Sequence, residues 1–70
     1  MAIVELDLHG VRHSEVKAML SNEFFWKNLK EVEVITGNSV KLKNIVRDWF
    51  HENHIEYIEY IHKASFMGYQ

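Results

Sequence analysis

The stretch VELDLHGVR, residues 4–12, sets the opening of the fold. Val4, Leu6 and Leu8 alternate with Glu5 and Asp7, the period of a strand with one buried face. Ile3 falls on the polar side with Glu5 and Asp7. His9-Gly10 then breaks the alternation, and Arg12 precedes a segment of helical spacing. A strand end needs no acid and imidazole two positions apart beside a glycine. That pair makes this edge the first place to look for chemistry.

Working outward, Ser14 is suited to cap a helix, with Glu15 at the positive end of its dipole. Val16, Met19, Leu20 and Phe24 recur at helical spacing, which predicts a helix to about Leu29. Residues 31–36 read as a second strand, with Val32 and Val34 on one side. Thr36-Gly37-Asn38-Ser39 is a turn cluster, and Asn38 or Ser39 caps the next helix. Leu42, Ile45, Val46, Trp49 and Phe50 give that helix the cleanest apolar stripe in the chain. Residues 55–61, rich in β-branched and aromatic side chains, read as a third strand. Lys63-Ala64-Ser65 reads as a turn, and residues 66–69 as either a short fourth strand or a tail.

The order β-α-β-α-β, with one more strand at most, predicts an α/β fold with parallel neighbours and right-handed crossovers. Two helices cover one sheet face. The expectation is a single-domain, two-layer α/β sandwich over residues 1–70, with the odd-numbered residues of the first strand on the open face.

Composition narrows the class. With 70 residues there is room for one small core, which needs dense packing or a partner. The 47% apolar and 26% charged content is that of a globular chain rather than a disordered one. The absence of cysteine removes disulfides and thiolate metal sites. A formal net charge of -2 argues against a generally basic nucleic-acid binder, so any such contact needs a local cluster of cations. No signal peptide is recognisable, and no apolar run approaches the ~18 residues of a membrane span. The expectation is a soluble cytoplasmic protein with no membrane contact.

Ligands of open α/β sheets sit outside the carboxyl ends of the strands, near helix amino termini. Two segments reach that edge: Asp7 to Arg12, and Thr36 to Ser39. Gly10 and Gly37 allow tight turns, and Gly37 lets backbone approach a phosphate. Arg12, Lys41 and Lys43, three of the eight Lys and Arg, fall beside these loops. That bias points to an anionic ligand. An imidazole transfers protons near neutral pH, and a carboxylate on the same strand face orients it or acts as base. Each residue also has a plainer use. Asp7 and His9 suit a solvent-facing strand end, the glycines suit turns, and Lys41, Lys43 and Arg47 suit a solvated helix face.

Leu6-Asp-Leu-His-Gly-Val-Arg12 resembles the leading motif of Smr (small MutS-related) domains. Val34-Ile-Thr-Gly-Asn-Ser39 is similar to their second motif, Thr-Gly-x-Gly, and His62-Lys-Ala-Ser65 faintly resembles the stretch after their third strand. The spacing and element order agree over most of the chain. The resemblance implies a sandwich similar to the carboxyl-terminal domain of translation initiation factor three. It also implies binding of DNA or RNA, often with nicking or endonuclease activity. Asp7 and His9 are then the cleavage residues. Thr36, Gly37 and Asn38 belong to the binding loop. Gly10, Arg12, Ser39, Lys41 and Lys43 complete the expected phosphate-binding set. The last motif glycine is replaced by Ser39. The chain enters the second helix without the family's longer basic loop, and its closing glycine-rich segment and final strand are shortened or missing.

No resident cofactor is expected. Cleavage of RNA through its 2′-hydroxyl requires no metal, whereas water attack on DNA favours a divalent ion. His51 and His54 stand at i and i+3, but at the carboxyl end of a helix, where a cation suits the dipole. Phe24, Phe25 and Trp26 cannot all face one core, and Tyr57 and Tyr60 lie on opposite strand faces. Surplus aromatic surface is an anchor for a homodimer. The second reading is therefore a catalytically silent interaction module or homo-oligomeric scaffold.

Overall fold

The computed structural model describes residues 3–70. Strand β1 spans Val4–Asp7, helix α1 His13–Ser21, strand β2 Glu31–Ile35, helix α2 Val40–Glu52, strand β3 Glu56–Tyr60 and strand β4 Ser65–Tyr69. The two helices pack on one face of a four-stranded sheet of order β1-β2-β4-β3, a two-layer α/β sandwich. No helix among the described residues is long and apolar enough to cross a membrane.

β1 and β2 are parallel neighbours, with Asp7 beside Ile35 at their carboxyl ends. The all-parallel expectation stops there. Residues 65–69 form a full strand inserted between β2 and β3 and antiparallel to both. The final strand, expected to be shortened or missing, is thus central to the sheet. Gly68 makes this position workable. A Cβ there would stand 2.6 Å from Cζ of Phe24 and 2.8 Å from Cε1 of Phe50. The missing side chain lets both rings lie against the strand backbone.

The first helix also departs from expectation. Its amino-terminal cap is Arg12, which offers no side-chain bond, and Ser14 lies inside the first turn. The α-helix ends at Ser21, and a π-helical turn continues over Asn22–Trp26, closed by the Lys27 amide donating to the Asn22 carbonyl at 2.9 Å. Val16, Leu20 and Phe24 stay on the buried side through this widened turn. The three consecutive aromatics part as their spacing requires: Phe24 is buried, Phe25 is 46% exposed beside Trp49, and Trp26 is 87% exposed.

α2 behaves as its pattern dictates. Ser39 Oγ accepts from the Leu42 amide at 3.1 Å, capping the helix. Leu42, Val46, Trp49 and Phe50 are buried. Phe50 is the hub of the core, stacked on Tyr57 at 5.0 Å and meeting Phe24 edge-on at 5.8 Å. Each large apolar side chain buried here contributes about 1.5–3 kcal/mol.

Candidate functional site

The carboxyl ends of β1 and β2 meet. Leu8 extends the ladder past β1, its amide donating to the Ile35 carbonyl at 2.8 Å. The chain then turns sharply, the Val11 amide donating to the Leu8 carbonyl at 3.0 Å. Gly10 adopts φ +80° at this turn, with open space where a side chain would be. The turn leaves His9 exposed and lays its ring against the second loop. A Cβ on Gly37, itself at φ +68°, would stand 3.2 Å from Cδ2 of His9. Asp7, His9 and Gly37 therefore share one end of the sheet, as the motif spacing led us to expect.

The carboxylate and the imidazole are not joined in the manner a proton relay would suggest. Asp7 Oδ1 accepts from the backbone amide of His9 at 2.9 Å, and no bond to the His9 ring is present. The carboxylate fixes the turn that aims the ring. Both side chains remain exposed.

Thr36 and Gly37 play a different part from the one their motif implies. Thr36 is buried. Its amide, its hydroxyl and the Gly37 amide all donate to the Ala64 carbonyl, at 3.0, 3.0 and 3.2 Å. Ala64 reaches this position in the left-handed conformation, φ 51°, at the end of a 3₁₀ turn over Ile61–Lys63. The Gly37 amide is thus already bonded, which corrects its expected role as a phosphate donor. Asn38 and Ser39 remain exposed, and the Ser39 hydroxyl is committed to capping. The first-turn amides of α2 that this cap does not reach, those of Val40 and Lys41, retain the positive dipole end.

The Ala64 tie brings a third segment to the same end. It carries His62 and Lys63, both exposed. Lys63 Nζ lies 5.2 Å from the Tyr60 ring centroid. Sequence reading gave this stretch as a turn, with a faint resemblance to the segment after the Smr third strand, and no part in the site, because a carbonyl bonding partners 27 or 28 residues away leaves no local signal.

Charge is distributed unevenly around the end. Arg12, Lys41, Lys43 and Lys63 make no ion pair among the described residues. Arg47, by contrast, grips Glu59 through Nη2 at 2.9 Å and lies over the Phe66 ring, so it belongs to the helix–sheet joint. His51 bonds the Tyr57 hydroxyl at 3.0 Å, at the far end of α2. No group of three or more His, Cys, Asp or Glu suited to a metal ion occurs among the described residues.

Comparison with known proteins returned no match: no family model, no curated protein and no solved structure corresponds to this chain.

Proposed function

We propose that this protein binds nucleic acid at the carboxyl ends of β1 and β2 and nicks it there, in the manner of the Smr domains that its LDLHGVR and VITGNS segments resemble. The observation that carries the reading is the contact of the His9 ring with Gly37. It makes one surface of the two motif loops and puts an imidazole and a carboxylate beside a helix amino terminus. Four cations without ion-pair partners among the described residues, Arg12, Lys41, Lys43 and Lys63, border that surface and suit the phosphate backbone.

In this reading phosphate lies against the first turn of α2 and near Arg12 rather than on the Gly37 amide. Asn38 and Ser39 form the loop it passes, and Gly10 holds the turn that projects His9. Thr36 acts by anchoring the loop from below. On RNA the 2′-hydroxyl attacks phosphorus as the bond to the 5′-oxygen breaks. His9 removes the attacking proton and a second group, or water, protonates the leaving oxygen. Asp7 acts through His9 by holding its turn. On DNA, water is the nucleophile, and a divalent ion is then expected to assist.

The test is incubation of the protein with supercoiled plasmid and with structured RNA, with and without chelator. Wild type should nick at least one of them, and His9→Ala should abolish that activity while remaining folded. Unchanged cleavage by His9→Ala removes the assignment. A specific observation favours the second reading, an interaction module or homodimer: Trp26 is 87% exposed in a chain this small. Absence of oligonucleotide binding at low salt would select it.

A further inference from the structure

The sheet face turned away from both helices has a charge pattern unlike the rest of the molecule. Glu5 and Asp7 on β1, Glu31 and Glu33 on β2, and Glu56 on β3 all project from it, by strand alternation and register. That is half of the chain's ten acidic residues. The three ion pairs of the described residues all involve other acids, Glu23, Glu52 and Glu59. Lys63 approaches this face only at one corner, over Tyr60, and pairs with none of the five.

Among these carboxylates the face also carries Ile35, Met67, Ile58 and Tyr60, of which Ile58 on the edge strand β3 is the most open and Met67 is buried. Register places Glu5, Glu33, Met67 and Ile58 in one row across the four strands, and Asp7, Ile35, Ser65 and Tyr60 in the next. Ile58 is half exposed. Glu5 and Glu33 stand side by side in register, a like-charge pairing that costs stability in the free protein. Of these two, Glu33 has a polar partner among the described residues, accepting from Ser65 Oγ at 2.9 Å.

The geometry points to this open face as the docking site of a partner protein's lysine- or arginine-rich amphipathic helix. Charge complementarity selects the occupant. Cations of such a helix reach these carboxylates and relieve the Glu5–Glu33 opposition, while its apolar stripe covers Ile58 and Tyr60. A nucleic acid is repelled from the body of the face by Glu5, Glu31, Glu33 and Glu56. A second copy meeting face to face would set the same carboxylates against each other. The dimensions agree: four strands about 4.8 Å apart give a floor about 15 Å wide, and a helix with side chains is about 10 Å across. Asp7 borders both this face and the strand tips, but Glu5, Glu31, Glu33, Glu56 and Ile58 lie away from the tips, so the proposal is tested on them independently of nucleic-acid cleavage.

The test uses ¹⁵N-labelled protein titrated with a synthetic amphipathic helical peptide built of leucine and lysine. A matched peptide of leucine and glutamate and a single-stranded RNA oligonucleotide serve as separate arms. The lysine peptide should shift amides of β1, β2, β4 and β3 around Glu5, Glu33, Met67 and Ile58, and the glutamate peptide should not. Glu5→Lys/Glu31→Lys/Glu56→Lys, which spares the Ser65 bond to Glu33, should weaken the lysine peptide by about tenfold or more. Ile58→Ser should weaken it by a smaller factor, while Lys41→Ala leaves it unchanged. The proposal is overturned by absence of binding at low salt, by shifts centred on the helices, by equal binding to the charge-reversed variant, or by RNA shifts centred on Glu5, Glu31, Glu56 and Ile58.

Discussion

The imidazole of His9 lies where a side chain on Gly37 would extend, with Cδ2 3.2 Å from the position a Cβ would take. The contact joins two loops that are 28 positions apart in the chain and adjacent in the sheet. It also separates two glycines that look alike in sequence. Gly10→Ala and Gly37→Ala should each lose about 1–2 kcal/mol, because both force a side chain into the left-handed region. Only Gly37→Ala should also displace the His9 ring. Urea unfolding measures the first effect, and the ring proton shifts of His9 the second.

Gly68 is a more severe case. Its backbone is not left-handed, yet a methyl group there meets Cζ of Phe24 at 2.6 Å and two atoms of Phe50 at 2.8 and 3.0 Å. Both rings are fully buried and cannot swing out of the way. Gly68→Ala should therefore destabilise the fold by about 1–3 kcal/mol or more, a large share of what a domain of this size possesses. A lowered urea midpoint together with loss of near-ultraviolet ellipticity checks this.

Glu5→Lys should have the opposite sign. It replaces the Glu5–Glu33 opposition by an attractive pair, gaining about 0.2–1 kcal/mol. The free protein should melt higher, and the gain should shrink as salt is raised.

Tyr69 predicts a response to alkali. Its hydroxyl titrates above the ordinary 10.0, first through loss of hydration, then through a hydrogen bond with Tyr60 and the negative charges of Tyr60 and Glu31. The unfolded chain therefore gives up this proton at lower pH than the folded one. Its contribution to stability is constant below the unfolded value and is lost as pH rises through the folded value. As pH rises above 10.0 the wild-type urea midpoint should fall more than that of Tyr69→Phe.

Much of this architecture is written in local pattern. The alternation of Leu6 and Leu8 with Glu5 and Asp7 gave the first strand and its open side. The stripe from Leu42 to Phe50 gave the second helix, and of the two cap candidates, Asn38 and Ser39, the structure uses Ser39. The meeting of Asp7, His9 and Gly37 followed from two strand tips being parallel neighbours. What escaped had causes distant in sequence. β4 is short and contains a glycine, and its central place depends on Phe24 and Phe50 filling the space that glycine leaves. The π-helical turn keeps the i, i+4 spacing of Val16, Leu20 and Phe24, so nothing in the apolar pattern marks its start at Asn22. Thr36 resembled a ligand-binding hydroxyl because its partner, the Ala64 carbonyl, comes from the far side of α2 and β3.

The most direct test of the account is the salt dependence of oligonucleotide binding by wild type and by Arg12→Ala/Lys41→Ala. If the strand tips hold phosphate, wild-type affinity should fall steeply as salt rises, and the double variant should bind more weakly with a slope reduced by about 1–2. Binding with an unchanged slope in the variant, or no binding by the wild type at low salt, would contradict it.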